Sequence, residues 1–419
     1  MHPNALLELA TELLHRVMQF QQPADNVVSD FFRQQRALGV RERHTLAETT
    51  YAVLRRRLLF QHLAQSGKGE IERRLAILAW QGNEGFLRAA LSEPEQKWLA
   101  QVQALDRSGL PEKLRHNLPE WLAERLVPAM GDEFWPLIDS LNAAAPLDLR
   151  VNTFKAKRDE VQAALAAEGV VAAVTPFSPW GLRVQGKPAL HKLAVFTRGD
   201  VEVQDEGSQL LALLTDAKRG EMVVDFCAGA GGKTLALGAA MRNTGRLYAF
   251  DTSGHRLAAL KPRLARSGLS NVYPVQLAHE RDDRIKRLAG KIDRVLVDAP
   301  CSGLGTLRRN PDMKWRQSPA SVDELRVKQA AILSSAARLL KPGGRLVYAT
   351  CSLLEEENEA VALAFTESER HVFSPLAAEQ ALTRAHVDNA ETLVRGDFLR
   401  LWPHHHGTDG FFTAVWERR

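Results

Sequence analysis

Three apolar runs in the second half of the chain each break off into a short phrase rich in glycine, cysteine or serine. Met222 to Asp225 leads into Cys227 to Thr234 (CAGAGGKT), Ile292 to Asp298 leads into Ala299 to Gly303 (APCSG), and Arg345 to Thr350 leads into Cys351 and Ser352. Strand-like runs that alternate with helical patterns predict a doubly wound parallel sheet of the Rossmann-like α/β class. Strands are expected at 222–226, 246–251, 272–276, 292–298 and 344–350, and helices at 232–241, 254–266 and 321–340. Pro262 should kink the second of these helices or mark its end. A terminal strand is expected at 410–416. Ligands of such sheets bind beyond the carboxyl ends of the strands, so the three phrases should meet in one cleft.

A chain of 419 residues exceeds one ordinary core, and its patterning divides into three parts. Residues 1–130 read as all-helical, with leucines at helical spacing and a single helix expected from Arg43 to Leu63. Arg33, Arg36, Arg41, Arg43, Arg55, Arg56, Arg57, Arg73 and Arg74 cluster there. They form either a solvated helix face or a phosphate-contacting surface. Residues 131–215 read as a small α/β module, with strands near 147–152, 181–184 and 200–203 and a helix from Arg158 to Ala167. This module either contacts RNA or is a structural lead-in. Residues 216–419 form the sheet domain.

The three cysteines, Cys227, Cys301 and Cys351, all fall inside the three phrases. That placement argues for thiol chemistry in a reducing, cytoplasmic setting rather than for disulfide staples. No signal-peptide pattern and no membrane-length apolar run is present. A net charge of +5 and a pI near 9.1 are compatible with a polyanionic partner.

The glycine phrase narrows the cofactor. A nucleotide-triphosphate loop needs a glycine five residues before Gly232, and Cys227 stands there. The dinucleotide fingerprint fits Gly229 and Gly231 but fails at Thr234. The remaining class is S-adenosylmethionine, whose loop is shorter and carries no pyrophosphate. Asp251, 22 residues after Gly229, is placed for the ribose. The competing reading is a tight strand-to-helix turn with an incidental aspartate.

The two later cysteines suit pyrimidine chemistry. C5 of a cytosine is a poor nucleophile until a thiolate adds at C6. The reaction then needs an acid near N3 and a group to complete elimination. Cys351, Cys301 and Asp298 lie at strand ends facing one cleft. Either cysteine alone would read as a small buried apolar residue.

These phrases resemble the RsmB/Sun (Fmu) family of S-adenosylmethionine-dependent RNA cytosine-C5 methyltransferases. The glycine loop, Asp298 to Gly303, and Thr350 to Ser352 followed by Glu355 to Asn358 carry the resemblance. Smaller matches are Val203 to Gln209, Arg308 to Asp312 with Trp315, and Asp409 to Phe412. Residues 1–130 are similar to the family's NusB-like helical RNA-binding domain, and the module at 131–215 would be RRM-like. The resemblance implies Cys351 as the nucleophile on C6 and Cys301 as the residue assisting release. It implies Asp298 on the N3/N4 edge, Lys233 reaching the base or its phosphate, and an S-adenosylmethionine site made by Cys227, Ala228, Gly229, Ala230, Gly231, Gly232, Lys233, Asp251, Arg256 and Asp298. Two departures stand out: Gly229-Ala230 replaces the family's usual Ala-Pro, and Ala278 replaces an adenine-contacting aspartate, with His279 or Asp282 as substitutes. His404, His405 and His406 lack metal-ligand spacing and are expected to line the cleft or contact RNA. The expected substrate is 16S ribosomal RNA, with transfer RNA or a non-catalytic RNA-binding, ribosome-assembly role as alternatives. The expected state is a monomer without metal or membrane.

Overall fold

The computed structural model describes residues 1–419 and divides into two compact units. The first comprises Met1–Ala144 with Thr306–Ser318, and the second comprises Ala145–Gly305 with Pro319–Arg419. No helix is long and apolar enough to cross a membrane.

The first unit is helical, from Pro3–Val17 to Phe134–Asn142. Its main core gathers apolar stripes from the helices between Pro3 and His116, including Leu7, Leu13, Phe31, Leu46, Leu54 and Leu75. The helical run continues past residue 130. Gly131, at φ +52°, makes a helix-to-helix turn, and the first strand begins only at Leu147.

The single helix expected from Arg43 to Leu63 is two, Val40–Arg55 and Arg57–Ala64. The break has a tertiary cause. The carbonyls of Leu54 and Arg55 accept from Trp315 Nε1 (2.8 Å) and Lys314 Nζ (2.9 Å), while the Leu59 amide donates to Asn117 Oδ1 (3.0 Å). These groups have found partners outside the helical ladder. The basic stretch 308–316 joins this core, with Trp315 packed against it and Arg308 and Lys314 buried. Several of the clustered arginines are also structural. Arg73 pairs with Glu8 and Glu95, and Arg57 stacks over Phe20 and Trp315. Arg33, Arg36, Arg41 and Arg56 remain exposed.

The second unit holds two sheets. β1 (Leu147–Val151), β2 (Ala172–Val174), β3 (Gly181–Val184) and β4 (Val201–Val203) form an antiparallel sheet in the order β2-β3-β1-β4, packed on the helix Arg158–Ala167. The larger sheet has a parallel half: β5 (Met222–Asp225), β6 (Arg246–Asp251), β7 (Val272–Gln276), β8 (Ile292–Asp298) and β9 (Leu340–Thr350). β10 (Phe373–Leu376), β11 (Val394–Arg395), β12 (Phe398–Leu401) and β13 (Phe411–Arg418) extend it antiparallel. The order is β11-β12-β13-β9-β8-β5-β6-β7, with β10 also on β13. From β5 the chain winds one way through β6 and β7 and the other way through β8 and β9. The topological switch therefore lies at the carboxyl ends of β5 and β8, where a doubly wound sheet binds its ligand.

The helix Gly254–Ser267 runs through Pro262 rather than ending there. Proline removes the amide that would bond Ala258, and Ala258 lies on the exposed face, where water can take its carbonyl.

Candidate active site

The end of β5 turns sharply into the helix Gly232–Ala240. Gly229 (φ +56°) and Gly231 (φ +84°) take the left-handed region that the turn requires. A Cβ on Gly231 would lie 2.1 Å from Leu260 Cδ1, so this position also needs the space. A Cβ on Gly229 would meet nothing nearer than Arg256, 4.0 Å away, so that backbone faces an open approach. Exposed backbone at a helix start, with Asp251 at the end of the neighbouring β6, suits a nucleoside carrying a short charged tail. Asp251 also fixes the loop, accepting from the amides of Gly229 (2.8 Å) and Ser253 (2.7 Å).

The loop lacks a proline at Ala230, and a tertiary contact holds it. Arg263 donates to the Ala230 carbonyl (2.7 Å) and pairs with Glu202 of β4 (3.0 Å). A residue of the small sheet thus braces the glycine loop through one arginine.

Asp225 is buried beneath the turn and accepts from the Thr234 hydroxyl (2.6 Å), while its other oxygen has no partner. Burial pushes its carboxyl up to about 7. Cys227 packs its side chain against the apolar cluster under the sheet, and burial pushes its thiol well above the ordinary range. Its part in the loop is therefore played by backbone.

Lys233, in the first turn of the helix, points back across the switch. Its Nζ lies 2.7 Å from Asp298 Oδ2 and over the Phe411 ring at 5.8 Å. Burial alone would pull this ammonium down, but the Asp298 carboxylate outweighs it and holds the lysine above its ordinary value. Beyond them, Cys301 Sγ and Cys351 Sγ are 3.4 Å apart. The hydrogen bond to Cys351, reinforced by burial, pushes the Cys301 thiol well above its usual range. In this contact either sulfur can be the donor.

The structure thus brings Asp298, Lys233, Cys301 and Cys351 together and sets the glycine loop and Asp251 at the adjoining strand ends. Arg256 lies near Gly229 but is exposed. The two candidates at the missing adenine aspartate are held differently. Asp282 accepts from the Ala278 amide (2.9 Å) and from the amide, Nε and NH2 of Arg284, which fills its carboxylate. His279 Nδ1 accepts from the Arg281 amide. The histidines lie in one helical turn, Pro403–His406. His406 is tied by both ring nitrogens to the backbone of Trp402 and Thr392.

Residues 212–417 match the family model described as 16S rRNA methyltransferase RsmB/F, and residues 118–191 match the ferredoxin-like domain of RsmF/B-like methyltransferases. A Synechocystis protein described as "Probable ribosomal RNA small subunit methyltransferase B" is 35% identical over 312 residues, covering 74% of this chain and 69% of that protein. A Bacillus subtilis protein of the same description is 31% identical over 345 residues, covering 82% and 76%. The chain belongs to the RsmB/F methyltransferase family. The crystal structure of PH0851 superposes with a TM-score of 0.80 at 26% identity, over 100% of this chain and 99% of that one.

For an RsmB/F chain, the site contains residues that the motif phrases alone did not single out. Arg263 and Glu202 brace the loop, and Glu357, Ser302, Ser352 and Gln329 lie behind the cysteines. The serines were visible as the residue after each cysteine. Glu357 was hidden in a run of three glutamates. Gly305 and Gly410 pack backbone to backbone under Cys351, since a Cβ on Gly305 would lie 2.1 Å from the Gly410 carbonyl.

Proposed function

We propose that this RNA methyltransferase moves a methyl group from S-adenosylmethionine to C5 of a cytosine in small-subunit ribosomal RNA, through a covalent Cys351–C6 adduct. The observation that carries the reading is the pair of sulfurs 3.4 Å apart at the ends of adjacent parallel strands, beside the Lys233–Asp298 pair. A lone buried cysteine would need no such partner. The names of the curated relatives support the ribosomal substrate.

In this reading the target base leaves its stack, because C6 cannot be reached inside one. The Cys351 sulfur adds to C6 as the thiolate, and the ring becomes enamine-like at C5. Asp298 holds the N3/N4 edge, and Lys233 fixes that carboxylate in place. The glycine loop and Asp251 hold S-adenosylmethionine, which supplies an electrophilic methyl group. Once C5 carries the methyl, its proton leaves to a base on the Cys301 side. The Cys351–C6 bond then breaks and returns its electron pair to sulfur.

The test uses Cys301→Ala protein with RNA from cells lacking the enzyme and S-adenosylmethionine. The expected result is an RNA–protein adduct that survives denaturation and vanishes in Cys301→Ala/Cys351→Ala. Sequencing the trapped RNA identifies the cytosine. Absence of an adduct, with no methyl transfer by the wild type, would overturn the reading.

A further inference from the structure

Behind the two cysteines sits a carboxylate that no part of the chemistry above uses. Glu357 is fully buried, in the turn Glu355–Glu357 that follows the Cys351 phrase. Its Oε1 accepts from the Ser302 amide (2.8 Å) and from Gln329 Nε2 (3.0 Å). Its Oε2 accepts from the hydroxyls of both Ser302 and Ser352, which are themselves fully buried and 3.1 Å apart. Gln329 also donates to the Pro300 carbonyl (3.0 Å), so the loop after β8 is held on both sides of Cys301. On the other strand, Asn358 donates to the Ser352 carbonyl (3.0 Å).

Four donors from three separate segments therefore converge on one carboxylate, and two of them are the hydroxyls next in sequence to the two cysteines. An acceptor-only group with two equivalent oxygens is the side chain that satisfies such a set. A glutamine would turn an N–H₂ toward two of the donors. Burying a carboxylate is costly unless it is fully hydrogen-bonded, and here each oxygen accepts twice. We propose that Glu357 is a positioning residue that sets the distance between Cys301 and Cys351. It clamps Ser302 to Ser352, and the sulfurs one residue earlier on each loop are thereby held in contact. Carried into catalysis, and resting on the reading above, the clamp keeps the releasing thiol within reach of the adduct formed by the attacking one.

The test compares wild type, Glu357→Gln and Ser302→Ala/Ser352→Ala, each checked for folding by circular dichroism. The double alanine variant removes only the clamped hydroxyls and covers the case in which Glu357→Gln does not fold. The proteins are treated with diamide, which takes two protons and two electrons from a thiol pair and becomes the hydrazine. Free thiols are then counted after denaturation. Wild type should pass quickly from three thiols to one, as Cys301 and Cys351 close into a disulfide and Cys227 remains. In the variants closure should slow by at least about tenfold, because a small misplacement is expensive in effective concentration. Closure at the wild-type rate overturns the proposal. This readout needs no RNA and stands even if the methyl-transfer reading falls. With RNA, the variants should lose turnover by about 10- to 100-fold with KM for RNA nearly unchanged, and should accumulate adduct. An equal loss at every step without adduct would make Glu357 merely structural and would also overturn the proposal.

Discussion

Replacing Asp225 by asparagine should flatten the pH dependence of the sheet's stability. Asp225 is 1% exposed, gives one oxygen to the Thr234 hydroxyl and leaves the other unpartnered. Burial, the largest cause, raises its carboxyl from 3.8 to about 7. In the unfolded chain the group ionises near its ordinary value, so between these two values the folded chain binds more protons. Stability must then fall as pH rises through this window. The full difference is about 4 kcal/mol by pH 8, at roughly 1.4 kcal/mol per pH unit where the slope is steepest. Asparagine has the same size, can still accept from Thr234 and never ionises. Comparing Asp225→Asn with wild type cancels every other titrating group. Hydrogen exchange at the β5 amides from pH 5 to pH 8 is the suitable measurement, because a chain of two units need not unfold in one step. The variant should gain on the wild type throughout this range. Parallel curves, within about 0.5 kcal/mol, would refute the reasoning.

Three further outcomes follow from the same geometry. Gly231→Ala should cost about 2–5 kcal/mol, combining the left-handed penalty with the clash on Leu260, and should weaken S-adenosylmethionine binding more than tenfold by calorimetry. Asp298→Ala should lower kcat about 10²- to 10³-fold in a single-turnover methyl-transfer assay. It should also lower the pKa of Lys233, since burial then acts without its counter-charge, and acylation of that lysine at neutral pH would report it. Lys314 is pulled down to about 7 by burial, so the unfolded chain binds more protons above that pH and wild-type stability should rise from pH 7 to pH 10. Lys314→Met should lack this rise, as read by exchange in the helix Val40–Arg55.

Much of the second unit was legible because its elements carry their own signal. β8 spans Ile292–Asp298 as read, since Val295, Leu296 and Val297, buried on both faces, make an apolar run at its centre. The helix Arg158–Ala167 likewise matches its sequence pattern. What escaped was set by distant partners. β11 and β12 are two and four residues long and pair around Gly396, too short for any alternation to show. The break at Arg56 depends on Lys314 and Trp315, more than 250 residues away, and the same contacts convert a basic loop into core. Arg263 gives no local hint that it carries the Ala230 carbonyl. The site's membership was legible where chemistry demands a residue type, as at Cys301 and Cys351. Its supporting residues were not, because a buried acceptor and a solvated glutamate look alike in sequence.

The four carboxyl groups around the cleft differ in what each has left to bind. Parallel strands deliver Asp225, Asp251 and Asp298 to one edge, and the turn after β9 adds Glu357. Left as bare charges so close together, they would repel one another and any phosphate-bearing ligand. Each is discharged differently. Asp225 keeps its proton to about 7, Asp251 accepts two backbone amides, Glu357 accepts four donors, and Asp298 pairs with Lys233. The first three are 1%, 8% and 0% exposed in that order, whereas the Asp298 side chain is 30% exposed. Asp298 therefore retains open surface while Lys233 holds its orientation, the combination that the proposed recognition of a flipped pyrimidine would require. Its buried neighbours, already spent on loops and clamps, can shape the cleft without entering the reaction.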